Sequence, residues 1–203
     1  MDSIKLALVL AFILFQGVAP SHATTNVALG KPVTLLGEFG KGSGYLNPNN
    51  LPPLPPAAMV TDGIFQDGYW TNGVWWSDSF SGIGNKVVVD LQGSFSLNHF
   101  SVMVDNNDMY LLEYLNPSDI WVPLWAIPDV CCFGLMERTI TLFSPITATE
   151  LRLSSFPPSH AGMDDSYSVS EIQAALVPEP ETYAMFLVGL VLMGLIVHRR
   201  KTS

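Results

Sequence analysis

Between its two ends this chain never sustains an apolar period of 3.6 over about 12 residues, and that constrains its fold more than any other feature. Short apolar segments recur instead between turn signals, at 86–91, 100–104, 109–114, 121–125, 138–143, 150–154 and 168–176. Thr139-Ile140-Thr141-Leu142 and Leu151-Arg152-Leu153-Ser154 alternate in period two, the pattern of strands with one apolar face. Fifteen Pro and 16 Gly punctuate the chain and speak against a helical bundle. Seven or eight strands in one domain predict an all-β fold, a β-sandwich or jelly roll. The Pro-rich run 47–56 reads as a loop inside that domain, because the segment before it is too short to fold alone.

Charge and cysteine usage exclude whole classes. Charged residues make up 13% of the chain, and nine Lys+Arg against 18 Asp+Glu give a net charge of −9. Within 24–176 five basic residues face fifteen acidic ones. A nucleic-acid partner needs clustered basic charge, so none is expected. The two cysteines, Cys131 and Cys132, are adjacent, which rules out a disulfide framework or a four-cysteine zinc site. Three fates remain for them: a vicinal disulfide, an intermolecular bond, or free thiols at risk in an oxidising compartment.

The ends read as targeting segments. Residues 1–23 carry Lys5, an apolar run of ten residues from Leu6 to Phe15, the breakers Gly17 and Pro20, and small Ser21 and Ala23 at the −3 and −1 positions. That is a cleavable secretory signal peptide, which implies Sec export and a mature start at Thr24. Ten apolar residues fall well short of the roughly 20 that a membrane span needs. At the other end, 15 uncharged apolar residues from Tyr183 to Val197 run into Arg199, Arg200 and Lys201. Extended by Thr182 and His198, with the arginines snorkelling, this predicts a transmembrane helix about 182–198. The basic cluster orients it with the domain outside and the tail in the cytoplasm.

Val177-Pro178-Glu179-Pro180, the apolar helix and the terminal Arg199-Arg200-Lys201 resemble the PEP-CTERM sorting signal of Gram-negative bacteria. The resemblance covers 177–203. It implies that Pro178, Glu179 and Pro180 are recognised by a membrane-embedded exosortase, with Arg199 and Arg200 holding the tail at the inner membrane. The tail is then removed and the protein passes to the cell surface or extracellular matrix. Prolines on both sides of Glu179 keep the site extended ahead of the helix.

A second resemblance spans nearly all of 24–176. Asn26-Val27-Ala28-Leu29-Gly30-Lys31-Pro32-Val33-Thr34 resembles the opening strand of discoidin, or coagulation-factor type C, domains. Val60-Thr61-Asp62-Gly63 resembles their Asp-Gly turn, and Trp75-Trp76-Ser77-Asp78 with Val87-Val88-Val89-Asp90-Leu91 their tryptophan and following strand. Glu150-Leu151-Arg152-Leu153 and Val169-Ser170-Glu171-Ile172 resemble the late arginine strand and the closing strand. The implied fold is the galactose-binding-like jelly-roll β-sandwich. The chain departs from the pattern in its inserted Pro-rich loop and in lacking the terminal disulfide. Lectin-like relatives hold a structural Ca²⁺ where the Asp-Gly turn meets the closing strand. The resemblance therefore implies Asp62 and Glu171 as hard oxygen ligands, with Asp67 a further donor nearby. The competing reading of Asp62 is a residue that caps its own turn.

Catalysis has thin support. There is no HExxH and no Gly-x-Ser-x-Gly elbow, and outside the targeting segments only His99 and His160 remain. The paired acids Asp105/Asp108 and Asp164/Asp165 sit in loop contexts where solvated turn residues are expected. Asp105-Asn106-Asn107-Asp108 reads as a hydrated turn ahead of Tyr110, with a polar ligand surface or a second cation site as alternatives. Trp75, Trp76, Trp121 and Trp125 are expected in the core. Tyr69 and Trp70 are the expected exposed aromatics, which makes Tyr69, Trp70, Asn106 and Asn107 the ligand-binding candidates. The expectation is a non-enzymatic carbohydrate-binding module that holds exopolysaccharide or a surface glycan. A structural or protein–protein module of the envelope is the alternative, and a polysaccharide hydrolase the third reading.

Overall fold

The computed structural model describes residues 25–41, 51–77, 84–156 and 166–176, and 189–190 and 193–194 in the tail. Thr25–Glu179 form one compact unit. The expected signal peptide, Pro178, Glu179, Pro180, Arg199 and Arg200, and also His160, Asp164 and Asp165, lie outside the described residues. So does the expected membrane helix, apart from four residues in helical conformation. Among the described residues no helix is long and apolar enough to cross a membrane.

The fold is all-β. Its strands are β1 (Val33–Leu36), β2 (Val74–Ser77), β3 (Lys86–Asp105), β4 (Tyr110–Leu115), β5 (Trp121–Ile127), β6 (Leu135–Ser155) and β7 (Ser166–Leu176). All named pairings are antiparallel, in the order β2-β7-β3-β6-β4-β5 with β1 on β3. β3 and β6, at 20 and 21 residues, are each more than three times as long as the segments expected from sequence, because segments read as separate strands are continuous. The polar stretch from Gln92 to His99 looks like a turn, yet it is strand with register shifts between Asp90 and Phe95 and between Leu97 and His99. Gln92 there adopts φ 57°. Such bulges let one strand turn a corner and serve two layers.

The register shows how. The first half of β3 pairs with β1 and with the last part of β6, which pairs in turn with β4. The second half of β3 pairs with the first part of β6 and with β7. The sheet thus folds over one core, in which Val87, Val89, Leu112, Leu151 and Leu153 join Val74, Trp76, Phe100, Val102, Val169 and Ile172. Each such fully buried side chain contributes about 1.5–3 kcal/mol.

At one end the core is aromatic. Trp76 stacks on Tyr167 with centroids 5.7 Å apart, and Tyr110 meets Tyr167 edge-on at 5.7 Å. The Tyr110 hydroxyl donates to Ser168 O (3.1 Å) and accepts from Ser168 N (3.0 Å), tying β4 to β7. The opening segment forms a strand only over Val33–Leu36. Before it, Asn26 Oδ1 accepts from Ala28 N (3.0 Å) and Ala174 N (3.1 Å), stitching the start of the unit to β7.

Candidate functional site

Two clusters stand out. The first is built where β3 hands over to β4. Asp105, Asn106 and Asp108 are 0%, 6% and 1% exposed, which corrects the expectation of a hydrated turn. The β5–β6 connection buries them. Val130 N donates to Asn106 O (2.9 Å), and Gly134 N donates to Asp105 Oδ1 (2.9 Å). Arg138, from the start of β6, donates through Nη2 to Asn106 O (3.2 Å) and Oδ1 (2.9 Å). Burial lowers the pKa of Arg138, while Tyr110 and Asp105 act to raise it. Burial, with Asp108 and Asp105 adding to it, pushes the Tyr110 phenol well above its ordinary value. Asn106 is therefore largely consumed by the fold. Asn107 is half-buried and, with its amide nitrogen turned toward Asp105, donates to that carboxylate at 3.2 Å.

This polar floor carries an apolar rim. The isolated bridge between Gly68 and Leu135 brings the segment before β2 against the start of β6, with Leu135 N donating to Gly68 O (2.9 Å). That register sets Tyr69 opposite Gly134. The ring of Tyr69 and that of Phe133, the residue before Gly134, both face solvent, at 59% and 67% exposure. Gly134 is required here: its φ is +114°, and a Cβ would lie 2.5 Å from Gly68 O. Trp70, expected beside Tyr69 on the surface, is only 2% exposed. Its ring packs edge-on against Trp75 (5.5 Å), and Ser168 Oγ donates to its carbonyl at 2.6 Å. A one-turn 3₁₀ helix, Trp70–Asn72, rolls this side chain inward while its neighbour points out. Sequence reading missed Phe133; the available signal was a lone aromatic between a cysteine pair and a glycine, outside any strand pattern.

The second cluster lies at the Asp-Gly turn. A 3₁₀ helix, Ala57–Thr61, ends on Asp62. Asp62 Oδ1 accepts from Ile64 N (2.8 Å), the contact that the turn-capping reading expects. Gly63 N donates to Glu171 Oε2 (3.2 Å), so the two acids implied by the resemblance meet at one peptide unit. Glu171 is 0% exposed, and Gln173 Nε2 donates to its Oε1 (3.2 Å). Burial, aided by the like charge of Asp62, raises its pKa to about 7 against the lowering effect of these two hydrogen bonds. A buried carboxylate beside the Asp-Gly turn offers the hard oxygen donors that Ca²⁺ takes. Asp67 does not complete a larger set, since no group of three or more His, Cys, Asp or Glu fit for a metal occurs among the described residues.

Elsewhere the chemistry-bearing groups are engaged. His99 Nδ1 lies 2.9 Å from Thr141 Oγ1 on the surface. Arg152, on the expected arginine strand, pairs with Glu113 (Nε to Oε2, 2.7 Å) and stacks on the half-buried Trp121, 4.1 Å from its centroid.

Comparison with known proteins adds the chain's ends and its neighbours. The PEP-CTERM protein-sorting motif matches residues 176–201, so the chain carries a membrane-associated sorting signal and is exported. No curated protein matches the chain. Similar solved structures include the family 32 carbohydrate-binding module from Streptococcus pneumoniae EndoD, at 13% identity and TM-score 0.49, covering 75% of this chain and 100% of that one. The family 32 module from C. perfringens NanJ in complex with galactose is similar at 15% identity and TM-score 0.44, covering 70% and 92%. SpGH29 is similar at 11% identity and TM-score 0.45; the match covers 76% of this chain and spans 28% of SpGH29.

Proposed function

We propose that this protein is a non-catalytic, exported surface or matrix protein of a Gram-negative bacterium, whose domain 24–176 is a carbohydrate-binding module. The signal peptide 1–23 directs Sec export. The tail 177–203 holds the precursor in the inner membrane through the helix about 182–198 until an exosortase acts at Pro178-Glu179-Pro180. Asp62 and Glu171 hold a structural Ca²⁺.

The observation that carries the ligand reading is that two aromatic rings, Tyr69 and Phe133, stand exposed on the two segments joined by the Gly68–Leu135 bridge. Apolar ring faces stack on the C–H faces of a sugar, and Asn107 at the margin offers hydrogen-bonding groups. The fifteen acids of the domain favour a neutral glycan over a polyanion. Asp105 and Asp108, the paired carboxylates of a hydrolase reading, are buried under the β5–β6 connection and not open to a substrate. Phe143, wholly exposed on β6, favours the second reading, a protein–protein module of the envelope.

A glycan array on 24–176 separates the two. Selective binding of neutral glycans that Phe133→Ala abolishes supports the first. Binding to no glycan, with retention of a protein from envelope extract that Phe143→Ser releases, decides for the second.

A further inference from the structure

The β5–β6 connection carries two thiols with no part in the ligand reading. Cys131 and Cys132 are both exposed and free. Their sulfurs lie 2.8 Å apart, Cys132 Sγ donating to Cys131 Sγ. The loop is pinned on either side of them. Val130 N is held by Asn106 O (2.9 Å), Gly134 N by Asp105 Oδ1 (2.9 Å) and Leu135 N by Gly68 O (2.9 Å). Cys132 itself adopts φ +65°, the left-handed region that a residue with a Cβ rarely occupies. The anchored backbone thus holds both sulfurs in contact and in the open. The chain also carries an export signal, and disulfides form and persist in oxidising compartments.

We propose that Cys131 and Cys132 are a redox-modification site, closing to a vicinal disulfide after export and thereby locking the segment that carries Phe133. On closure two S–H bonds break and one S–S bond forms. The two electrons and two protons pass to a disulfide-bearing oxidant, an oxidised thiol–disulfide oxidoreductase or oxidised glutathione, which leaves as its thiols. The hydrogen bond with Cys132 raises the pKa of the Cys131 thiol. An intrachain sulfur already in contact has a far higher effective concentration than a second chain, which disfavours the intermolecular bond. Neighbouring Cα atoms sit ~3.8 Å apart across a trans peptide, inside the usual ~4.4 Å minimum for a disulfide. Strained, exposed disulfides are the labile and regulatory ones, so this ring reopens under mild reductant.

The test uses the exported chain, reduced and then equilibrated with oxidised glutathione. Intact mass should fall by two hydrogen atoms, and maleimide-reactive thiols should drop from two per chain to none, with dithiothreitol reversing both. Amide hydrogen exchange at Phe133 and Gly134 should slow at least roughly tenfold on oxidation, which corresponds to about 1.4 kcal/mol. Cys131→Ser and Cys132→Ser should each keep the faster exchange of the reduced protein whatever the oxidant. Two reactive thiols after oxidation, a glutathione adduct, or a disulfide-linked dimer on a non-reducing gel overturns the proposal. So does a ring whose closure leaves exchange at Phe133 unchanged. None of these readouts involves a glycan, so they stand apart from the ligand reading.

Discussion

Glu171 titrates in a range where its effect on stability can be measured. The side chain is fully buried on β7, and burial raises its pKa from the ordinary ~4.3 to about 7. Below ~4.3 the group is protonated in both folded and unfolded chains and contributes nothing to pH dependence. As pH rises toward 7 the unfolded chain loses the proton while the folded one keeps it, so stability falls. Above 7 the full cost persists. At ~1.4 kcal/mol per unit, the metal-free fold loses about 3 kcal/mol to this residue between pH 4 and pH 8. For a domain of this size that is about 6–12 °C in Tm. Other acids titrate over the same span, so the quantity to measure is the difference between wild type and Glu171→Gln, which cannot ionise there. Thermal melts of metal-stripped 24–176 in EDTA, from pH 4 to pH 8, should show wild type falling relative to the variant by that amount. Millimolar Ca²⁺ should restore the wild type at pH 8, because a cation between Asp62 and Glu171 stabilises the ionised form. It should do little at pH 5, where the proton holds the site, and nothing for Glu171→Gln. A difference between the two proteins that is flat in pH refutes the titration argument; wild type indifferent to Ca²⁺ at pH 8 refutes the metal site.

Further outcomes are expected. Tyr69→Ala and Phe133→Ala should each weaken glycan binding by roughly tenfold, read by calorimetry, while changing stability by less than about 0.5 kcal/mol. Trp70→Ala should instead cost about 3–5 kcal/mol in denaturant unfolding, since its ring fills core space against Trp75. Gly134→Ala should cost about 1–3 kcal/mol, because it forces a side chain at φ +114° into Gly68 O, and should impair glycan binding by displacing the segment that carries Phe133. In the native host, intact-mass analysis of surface protein should show a chain beginning at Thr24 and lacking the tail. Arg199→Glu with Arg200→Glu should leave the precursor unprocessed, whereas wild-type surface protein that retains the tail counts against exosortase removal.

Some features of this protein are written in short stretches of chain and others are not. The period-two alternation of 138–143 and 150–154 sufficed to assign an all-β fold, because a strand's face preference is set by neighbours two residues apart. The sorting motif at 176–201 is likewise local: tripeptide, apolar run and basic end are adjacent in sequence. The resemblance to discoidin domains paired Asp62 with Glu171, and in the structure Glu171 reaches the Asp-Gly turn by accepting from Gly63 N, 108 positions away. Local pattern misread the rest for one reason, that burial depends on what the chain places over a residue later on. Asp105, Asn106 and Asp108 look like a hydrated turn until the β5–β6 connection and Arg138 close over them. The polar stretch 92–99 looks like a loop until bulges let β3 run through it and serve both layers. Tyr69 and Trp70 are indistinguishable as neighbouring aromatics, and only the 3₁₀ turn against Trp75 sends one inward and leaves the other exposed, opposite Gly134 from a segment more than sixty residues away.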